Sequence, residues 1–170
     1  MFTPAARQDD LADLVHRAQL GDALAMDRIL ALLEPYVGRV CAPIALQDAT
    51  DAAQEAMIAI FRRIHQLKTP EALYGWAKAI AVREAVRVAT RERRTSPTEL
   101  VDEPDLADGE LAADIRDILD RLSPEHRAVL TMRHIDGFDE QAVANILNVP
   151  VGTVRSRLFR ARAIFRNSWH

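Results

Sequence analysis

Several residue types are scarce in this chain of 170 residues, and each scarcity excludes a class of protein. Cys41 is the only cysteine, which excludes an intramolecular disulfide and a zinc site built on a cysteine cluster. Its apolar neighbours in the sequence favour a buried structural thiol over a redox sensor. Aromatic residues make up only 5% of the chain, and valine and isoleucine nowhere alternate with polar residues for long. We therefore expect helix throughout.

Motifs for catalysis and for cofactor binding are missing as well. The six glycines are scattered and do not form a phosphate-binding loop, and the five histidines lie too far apart for a metal-ligand spacing. No serine nucleophile motif is present. We expect no enzyme, no cofactor and no metal site. The sequence shows no secretory signal and no apolar run of transmembrane length, which indicates a cytoplasmic protein with no membrane contact of its own.

The net charge of -3 conceals a strong asymmetry along the chain. Residues 95–122 carry two basic and nine acidic side chains, whereas residues 123–170 carry seven basic and four acidic ones. Because binding to nucleic acid depends on the local field, the mildly acidic overall balance does not exclude a DNA-binding module near the C-terminus.

Residues 137–166 have the pattern of a helix-turn-helix. Asp139 is a candidate cap for its first helix, and Asn148 is a candidate for the left-handed residue that ends that helix. Pro150 and Gly152 mark the turn, and Thr153 stands where a cap is expected for the second helix.

The second of these helices combines an apolar stripe with a basic surface. The stripe is spaced four, three and four residues apart and consists of Val154, Leu158, Ala161 and Phe165. No acid follows Glu140, and the arginines on the flanks and outer face are Arg155, Arg157, Arg160, Arg162 and Arg166. This combination suits a helix in a DNA major groove. An ordinary solvated helix remains the alternative, although such helices usually mix both signs of charge.

The first half of the chain contains further amphipathic patterns. Asp22 can cap a helix in which Pro35 is expected to cause a kink or a break, and Pro43 is expected to end the segment. Asp48 opens the next helix, for which we predict a buried face that includes Phe61. The exposed carboxylates of that helix, taken alone, are better explained as an ordinary solvated face.

A long helix is predicted after Thr69 and Pro70, with aromatic residues near its start and arginines toward its end. Aromatic rings beside basic residues can stack on unpaired bases while the arginines hold the backbone. The alternative is that Trp76 belongs to the core and only Tyr74 is exposed.

Taken together, the patterns predict an all-α protein with two small helical domains. The first spans residues 1–94 and the second spans residues 110–170. Residues 95–109 contain two prolines, five acids and no basic residue, which is typical of a flexible acidic linker.

The chain resembles a known family, the extracytoplasmic-function (ECF) sigma factors of bacterial RNA polymerase. The segment DATDAAQEAMIAIFRRI is similar to the acidic helix of the second conserved region of that family. The segment LSPEHRAVLTMRHIDGFDEQAVANILNVPVGTVRSRLFRAR is close to the pattern of the fourth region, and this match is highly specific. Arg83 and Arg87 depart from the family, which often has asparagine and aspartate at these positions.

The resemblance implies partners and residue roles. The chain would bind the clamp and flap of the RNA polymerase core, promoter DNA and an anti-sigma factor. The polymerase-docking residues would be Asp48, Asp51, Gln54 and Glu55. The minus-ten element would be bound by Tyr74, Trp76, Lys78, Arg83 and Arg87. The minus-thirty-five element would be read by Thr153, Arg155, Ser156, Arg157, Phe159 and Arg160.

Two other functions fit parts of the sequence. A dimeric helix-turn-helix regulator would bind an operator without polymerase, but it gives no reason for the acidic helix that begins at Asp48. A sigma mimic that titrates an anti-sigma factor would not need the arginine-rich second helix of the helix-turn-helix.

Overall fold

The computed structural model describes residues 4–95 and 110–168, and these residues are helical apart from short connections. Four helices form the N-terminal module: Pro4–Gln19 (α1), Ala23–Ala45 (α2), Ala49–Arg63 (α3) and Leu73–Thr95 (α4). Four more form the C-terminal module: Glu110–Arg121 (α5), Pro124–Leu130 (α6), Glu140–Leu147 (α7) and Val151–Ser168 (α8). The all-α fold in two helical modules is confirmed. Apart from Thr95, the predicted linker lies outside the described residues.

The core of the N-terminal module lies among α2, α3 and α4, with α1 packed against α2. Helix α2 buries one residue per turn, and α3 buries small side chains that allow its backbone to approach its neighbours closely. Cys41 is fully buried in this core, as predicted, and its thiol lies 3.7 Å from the carbonyl oxygen of Ala81.

Neither proline of α2 ends it, so the predicted end at Pro43 was wrong, and of the kink or break predicted at Pro35 the break does not occur. The helix continues through both to Ala45, and Leu46 stops it with a φ of 51°. Ile29, Leu33, Val37, Cys41 and Ile44 form one buried stripe that runs past both prolines. A proline inside a helix costs roughly 3 kcal/mol, and burial of a large apolar side chain contributes about 1.5–3 kcal/mol. Burial of this stripe therefore contributes more stability than the two prolines cost.

The same segment also passes a simple test for a membrane span, although the sequence analysis expected no apolar run of that length. By length and mean hydropathy alone, the stretch Ala23–Gln66 contains a helix that could cross a membrane. The core helix of a protein without a membrane span passes the same test, and α2 contributes seven buried residues to this core.

The helix ends predicted at Asp139 and Asn148 are present, and Ser123 supplies a further cap. The Ser123 hydroxyl accepts the His126 amide at the start of α6, and the Asp139 carboxylate accepts the Ala142 amide at 2.7 Å at the start of α7. Asn148 is left-handed, with φ 55° and ψ 50°. A π-helical segment, Thr131–Ile135, extends α6 up to Gly137, which turns the chain at φ 74°.

The predicted cap at Thr153 was wrong. Helix α8 begins two residues earlier, at Val151, and the Pro150 carbonyl accepts the amides of Thr153 and Val154. Thr153 therefore lies in the first turn, where its side chain is half-buried.

The two modules are packed against each other. Helices α2 and α4 contact α6, and α4 also contacts α7. Buried residues of α6, α7 and α8 continue the apolar cluster of the N-terminal module. Arg127 of α6 is 6% exposed, and its Nε donates to the Ile44 carbonyl of α2 at 2.7 Å. The sequence analysis treated the modules as separate units and predicted none of these contacts.

Candidate functional site

Helix α8 presents a polar and aromatic face away from the module core. Val154, Leu158 and Ala161 are buried against the other helices. On the opposite side, Ser156 and Arg160 are exposed and the Phe159 ring is 74% exposed. A phenylalanine side chain that is this exposed does not contribute the free energy of apolar burial to folding. Its position therefore favours contact with another molecule.

The other predicted residues of this helix lie at the edges of that face. Arg155 is exposed, but its Nε donates to the Glu140 carboxylate of α7 at 2.7 Å. The predicted basic surface is therefore not free of acids, because one arginine is paired. Arg157 and Thr153 are half-buried, and Arg162 lies 3.2 Å from Nε2 of His134.

Helix α3 carries an outward stripe that begins polar and ends apolar. Asp51, Gln54, Ile58 and Phe61 follow each other at spacings of three, four and three residues, and all four are exposed. Phe61, predicted to be buried, is 53% exposed, because only Ala52, Ala56 and Ile60 of α3 face the core. The sequence analysis missed Ile58 and Phe61 as surface residues, although their spacing from Asp51 was a usable signal.

A groove runs between this stripe and α2. It has a volume of about 600 Å³, and its walls include Glu34 and Gly38 of α2 with Met57 and Ile58 of α3. Gly38 has no side chain to fill the groove from the α2 side. No atom lies within 4 Å of the position that its Cβ would take. The groove and the exposed stripe form one continuous surface of mixed polarity.

The remaining carboxylates predicted on α3 lie on its flanks. Asp48 is half-buried and makes no capping hydrogen bond. Burial raises the pKa of its carboxyl, and the neighbouring Glu92 and Asp51 raise it further. Glu55 accepts a hydrogen bond from Arg87 of α4 at 3.3 Å. The predicted polymerase-docking helix and the predicted minus-ten helix are therefore joined by an ion pair.

The two aromatic residues at the start of α4 have different environments. Tyr74 is 40% exposed and packs edge-to-face on Tyr36 of α2, with ring centroids 5.1 Å apart. Trp76 is half-buried and packs against the core cluster. Of this pair, Tyr74 offers the more accessible ring.

The basic residues predicted for the same site are all engaged. The Lys78 ammonium lies 2.8 Å from the Asp136 carboxylate of the C-terminal module. Arg83 is exposed and its Nη1 lies 3.5 Å from the Ile146 carbonyl of α7. Arg87 bonds Glu84 at 2.7 Å as well as Glu55. The structure thus brings all five predicted minus-ten residues onto one helix, with two of them at the junction between the modules.

Comparison with known families gives matches in both modules. The family model described as Sigma-70 region 2 matches residues 26–95, which include α3 and α4. The model described as Sigma-70, region 4 matches residues 112–164, which include the helix-turn-helix.

Relatives match over nearly the whole chain. The ECF RNA polymerase sigma-E factor of Escherichia coli K12 is 30% identical, over 91% of this chain and 91% of the relative. The RNA polymerase sigma-H factor of Pseudomonas aeruginosa is also 30% identical, over the same shares.

Two solved structures share the fold. The sigma factor RpoE of Bartonella quintana, solved with the anti-sigma factor NepR, has a TM-score of 0.62 at 19% identity and covers 84% of this chain and 94% of its own. CnrH, solved with the cytosolic domain of CnrY, has a TM-score of 0.58 at 20% identity and covers 91% of this chain and 93% of its own.

Proposed function

We propose a division of roles within this chain, which belongs to the ECF sigma factors of bacterial RNA polymerase. It is an alternative sigma factor, and it directs transcription initiation together with the polymerase core. In our proposal the outward face of α3 docks on the polymerase clamp, α4 holds the melted minus-ten element, and α8 reads the minus-thirty-five element in the major groove.

The outward face of α8 carries this proposal. It combines an exposed aromatic ring, a hydroxyl and an arginine on a helix whose other side is fixed by a buried apolar stripe. A guanidinium can bind the O6 and N7 atoms of a guanine, and a serine can bond either a base or a phosphate. Since Glu140 holds Arg155, we assign that arginine to orientation at a backbone phosphate rather than to base reading.

Two substitutions on α8 separate base reading from general affinity. Arg160→Ala should weaken binding to the minus-thirty-five element by about 1–3 kcal/mol and relax its sequence preference, whereas Arg166→Ala should weaken binding alike on all sequences. The assay is binding of the reconstituted holoenzyme to promoters selected from genomic fragments. Equal and sequence-independent losses for both variants would contradict the assignment of Arg160 to base contact.

The mixed stripe on α3 supports the docking role. Asp51 and Gln54 supply polar contacts at one end, and Ile58 and Phe61 supply apolar area at the other. Interfaces between proteins commonly combine apolar contact area with polar contacts, and the stripe supplies both. No catalytic group is needed for these roles, so we propose that the chain itself performs no chemical step.

Asp51→Arg tests the docking role directly. The residue is exposed, so the fold should survive, and core polymerase binding should fall at least tenfold. Asp117→Arg on α5 makes the same change of charge at an exposed position outside the stripe. Unchanged binding by the Asp51 variant, measured by surface plasmon resonance with core polymerase, would remove the docking assignment.

Promoter melting would draw on α4. Exposed Tyr74 can stack on a base released from the duplex, and the cationic side chains further along the helix can hold its phosphates. Capture of such bases offsets unstacking costs of a few kcal/mol per base.

We further propose an anti-sigma partner and a cytoplasmic location. The RpoE structure with a similar fold was solved together with an anti-sigma factor, and core polymerase and chromosomal DNA lie in the cytoplasm. A protein captured from native lysate that displaces this chain from core polymerase would be that partner. A captured protein that leaves core binding unchanged would not be.

A further inference from the structure

The contacts between the two modules fall on the helix that we propose for nucleic-acid binding. Helix α4 contributes Lys78, Arg83 and Arg93 to the junction, each of which reaches a different acceptor of the C-terminal module. An interface that occupies three basic side chains of one helix leaves fewer of them for a phosphate backbone.

The Lys78 contact is the most enclosed of the three. Its side chain is 14% exposed and that of Asp136 is 22% exposed, with 2.8 Å between the ammonium and the carboxylate. The same ammonium lies 4.9 Å from the centre of the Phe138 ring. A carboxylate and an aromatic face are both ligands for a cation, so Lys78 is held from two sides.

The position of these two ligands follows from the chain geometry. Gly137 stands between them with a φ of 74°, a conformation that L side chains rarely adopt. The turn lets Asp136 and Phe138 both face α4 as the π-helical segment ends. On the other side of the junction, Arg127 fixes α6 to α2 through the Ile44 carbonyl.

We propose that the free protein is closed by an internal latch, in which Asp136 takes the place of a nucleic-acid phosphate at Lys78. The latch keeps α4 from nucleic acid until the modules separate. The competition with nucleic acid rests on the proposed minus-ten role of α4, whereas the closed arrangement itself does not.

The latch has a measurable consequence for binding. A protein that is competent only when open binds with an apparent affinity reduced by its open fraction. Breaking the latch therefore raises the affinity of the free protein for single-stranded DNA without adding any contact to that DNA. Separation of the modules also enlarges the molecule, since they are then joined only through the residues between α4 and α5.

Asp136→Lys tests the closed arrangement by small-angle X-ray scattering. A compact chain of this length has a radius of gyration of about 15–16 Å. We expect that value for the wild type and for the control Asp117→Lys, and an increase of several Å for Asp136→Lys, because two lysines then face each other. An unchanged radius of gyration in the Asp136 variant overturns the latch.

A charge exchange keeps the test decisive if the single variant folds poorly. Lys78→Asp should open the protein, and Lys78→Asp combined with Asp136→Lys should close it again, because the pair is restored with its signs reversed. Circular dichroism reports whether the helices persist in each variant. A double variant that is folded and as expanded as the single ones overturns the pairing.

Binding of a fluorescein-labelled oligothymidylate of 12 nucleotides tests the competition. We expect Asp136→Lys to bind at least threefold more tightly than Asp117→Lys, which carries the same added charge. A larger radius of gyration without tighter binding of the oligothymidylate would support the closed arrangement of the free protein. It would count against the assignment of α4 to the minus-ten strand.

Discussion

Among single substitutions on α6, we expect the removal of the Arg127 side chain to lower the free energy of unfolding most. Its guanidinium donates to the carbonyls of Ile44 at 2.7 Å, Leu122 at 2.7 Å and Leu119 at 3.0 Å. Burial lowers the pKa of Arg127, which shows that the charge itself is disfavoured at this site. The three carbonyls compensate for that penalty, and two of the bonds are buried.

Arg127→Met retains the length of the side chain and removes the donors. Each buried carbonyl left without a donor costs about 1–3 kcal/mol, and the part-buried Leu119 carbonyl can be hydrated instead. Part of this cost is recovered because no charge is buried any longer. We expect a net loss of about 2–4 kcal/mol, equivalent to a fall in melting temperature of roughly 5–15 °C for a chain of this size.

Urea unfolding monitored by circular dichroism measures this loss. Arg121→Met is the matched control, because Arg121 is exposed and, among the described residues, its bond is to Asp117 one turn away at 2.8 Å. The control should lose less than about 0.5 kcal/mol. A loss below about 1 kcal/mol for Arg127→Met would refute the claim that these carbonyls depend on the guanidinium.

Further predictions concern the core thiol and the helix caps. Burial raises the pKa of Cys41 to about 12, so the thiol stays protonated at pH 8. It should therefore react with a disulfide reagent only when the core opens. Complete reaction within seconds in the native protein would contradict its burial. Asp139→Ala should cost about 1 kcal/mol in thermal unfolding, because it removes the cap of α7. Thr153→Ala should leave the melting temperature nearly unchanged, since Thr153 caps nothing, and equal losses for the two variants would restore it as a cap.

Local signals explain why the helix-turn-helix could be predicted closely. Capping at Asp139 and the left-handed turn at Asn148 depend on interactions within three or four residues, which the sequence displays directly. The apolar stripe of α8 is likewise a matter of spacing along one helix. The prediction of a cap at Thr153 failed because the helix begins before it. The Pro150 carbonyl already accepts the amides of Thr153 and Val154 at the helix start.

Features that depend on distant residues could not be predicted in this way. Whether Pro35 breaks α2 depends on how much apolar surface the rest of the module covers on either side of it. Arg127 looks like any surface arginine in the sequence, because its acceptor at Ile44 is 83 residues away.

The same limit applies to the proposed binding sites. The sequence pattern placed Lys78 and Arg83 on a basic helix, and they do share one. It could not show that Asp136 and α7 of the C-terminal module approach that helix, because no local pattern encodes the contact between modules. The roles of the α3, α4 and α8 residues in binding stay predictions until variants are measured.

Run-off transcription with purified core polymerase on a library of genomic fragments tests the central claim most directly. With this protein added, we expect new start sites that share two upstream sequence elements, and the variant Asp51→Arg should abolish them. A folded protein that binds core polymerase and yet yields no new start site on any fragment, while a known sigma factor is active in the same reaction, would contradict the account.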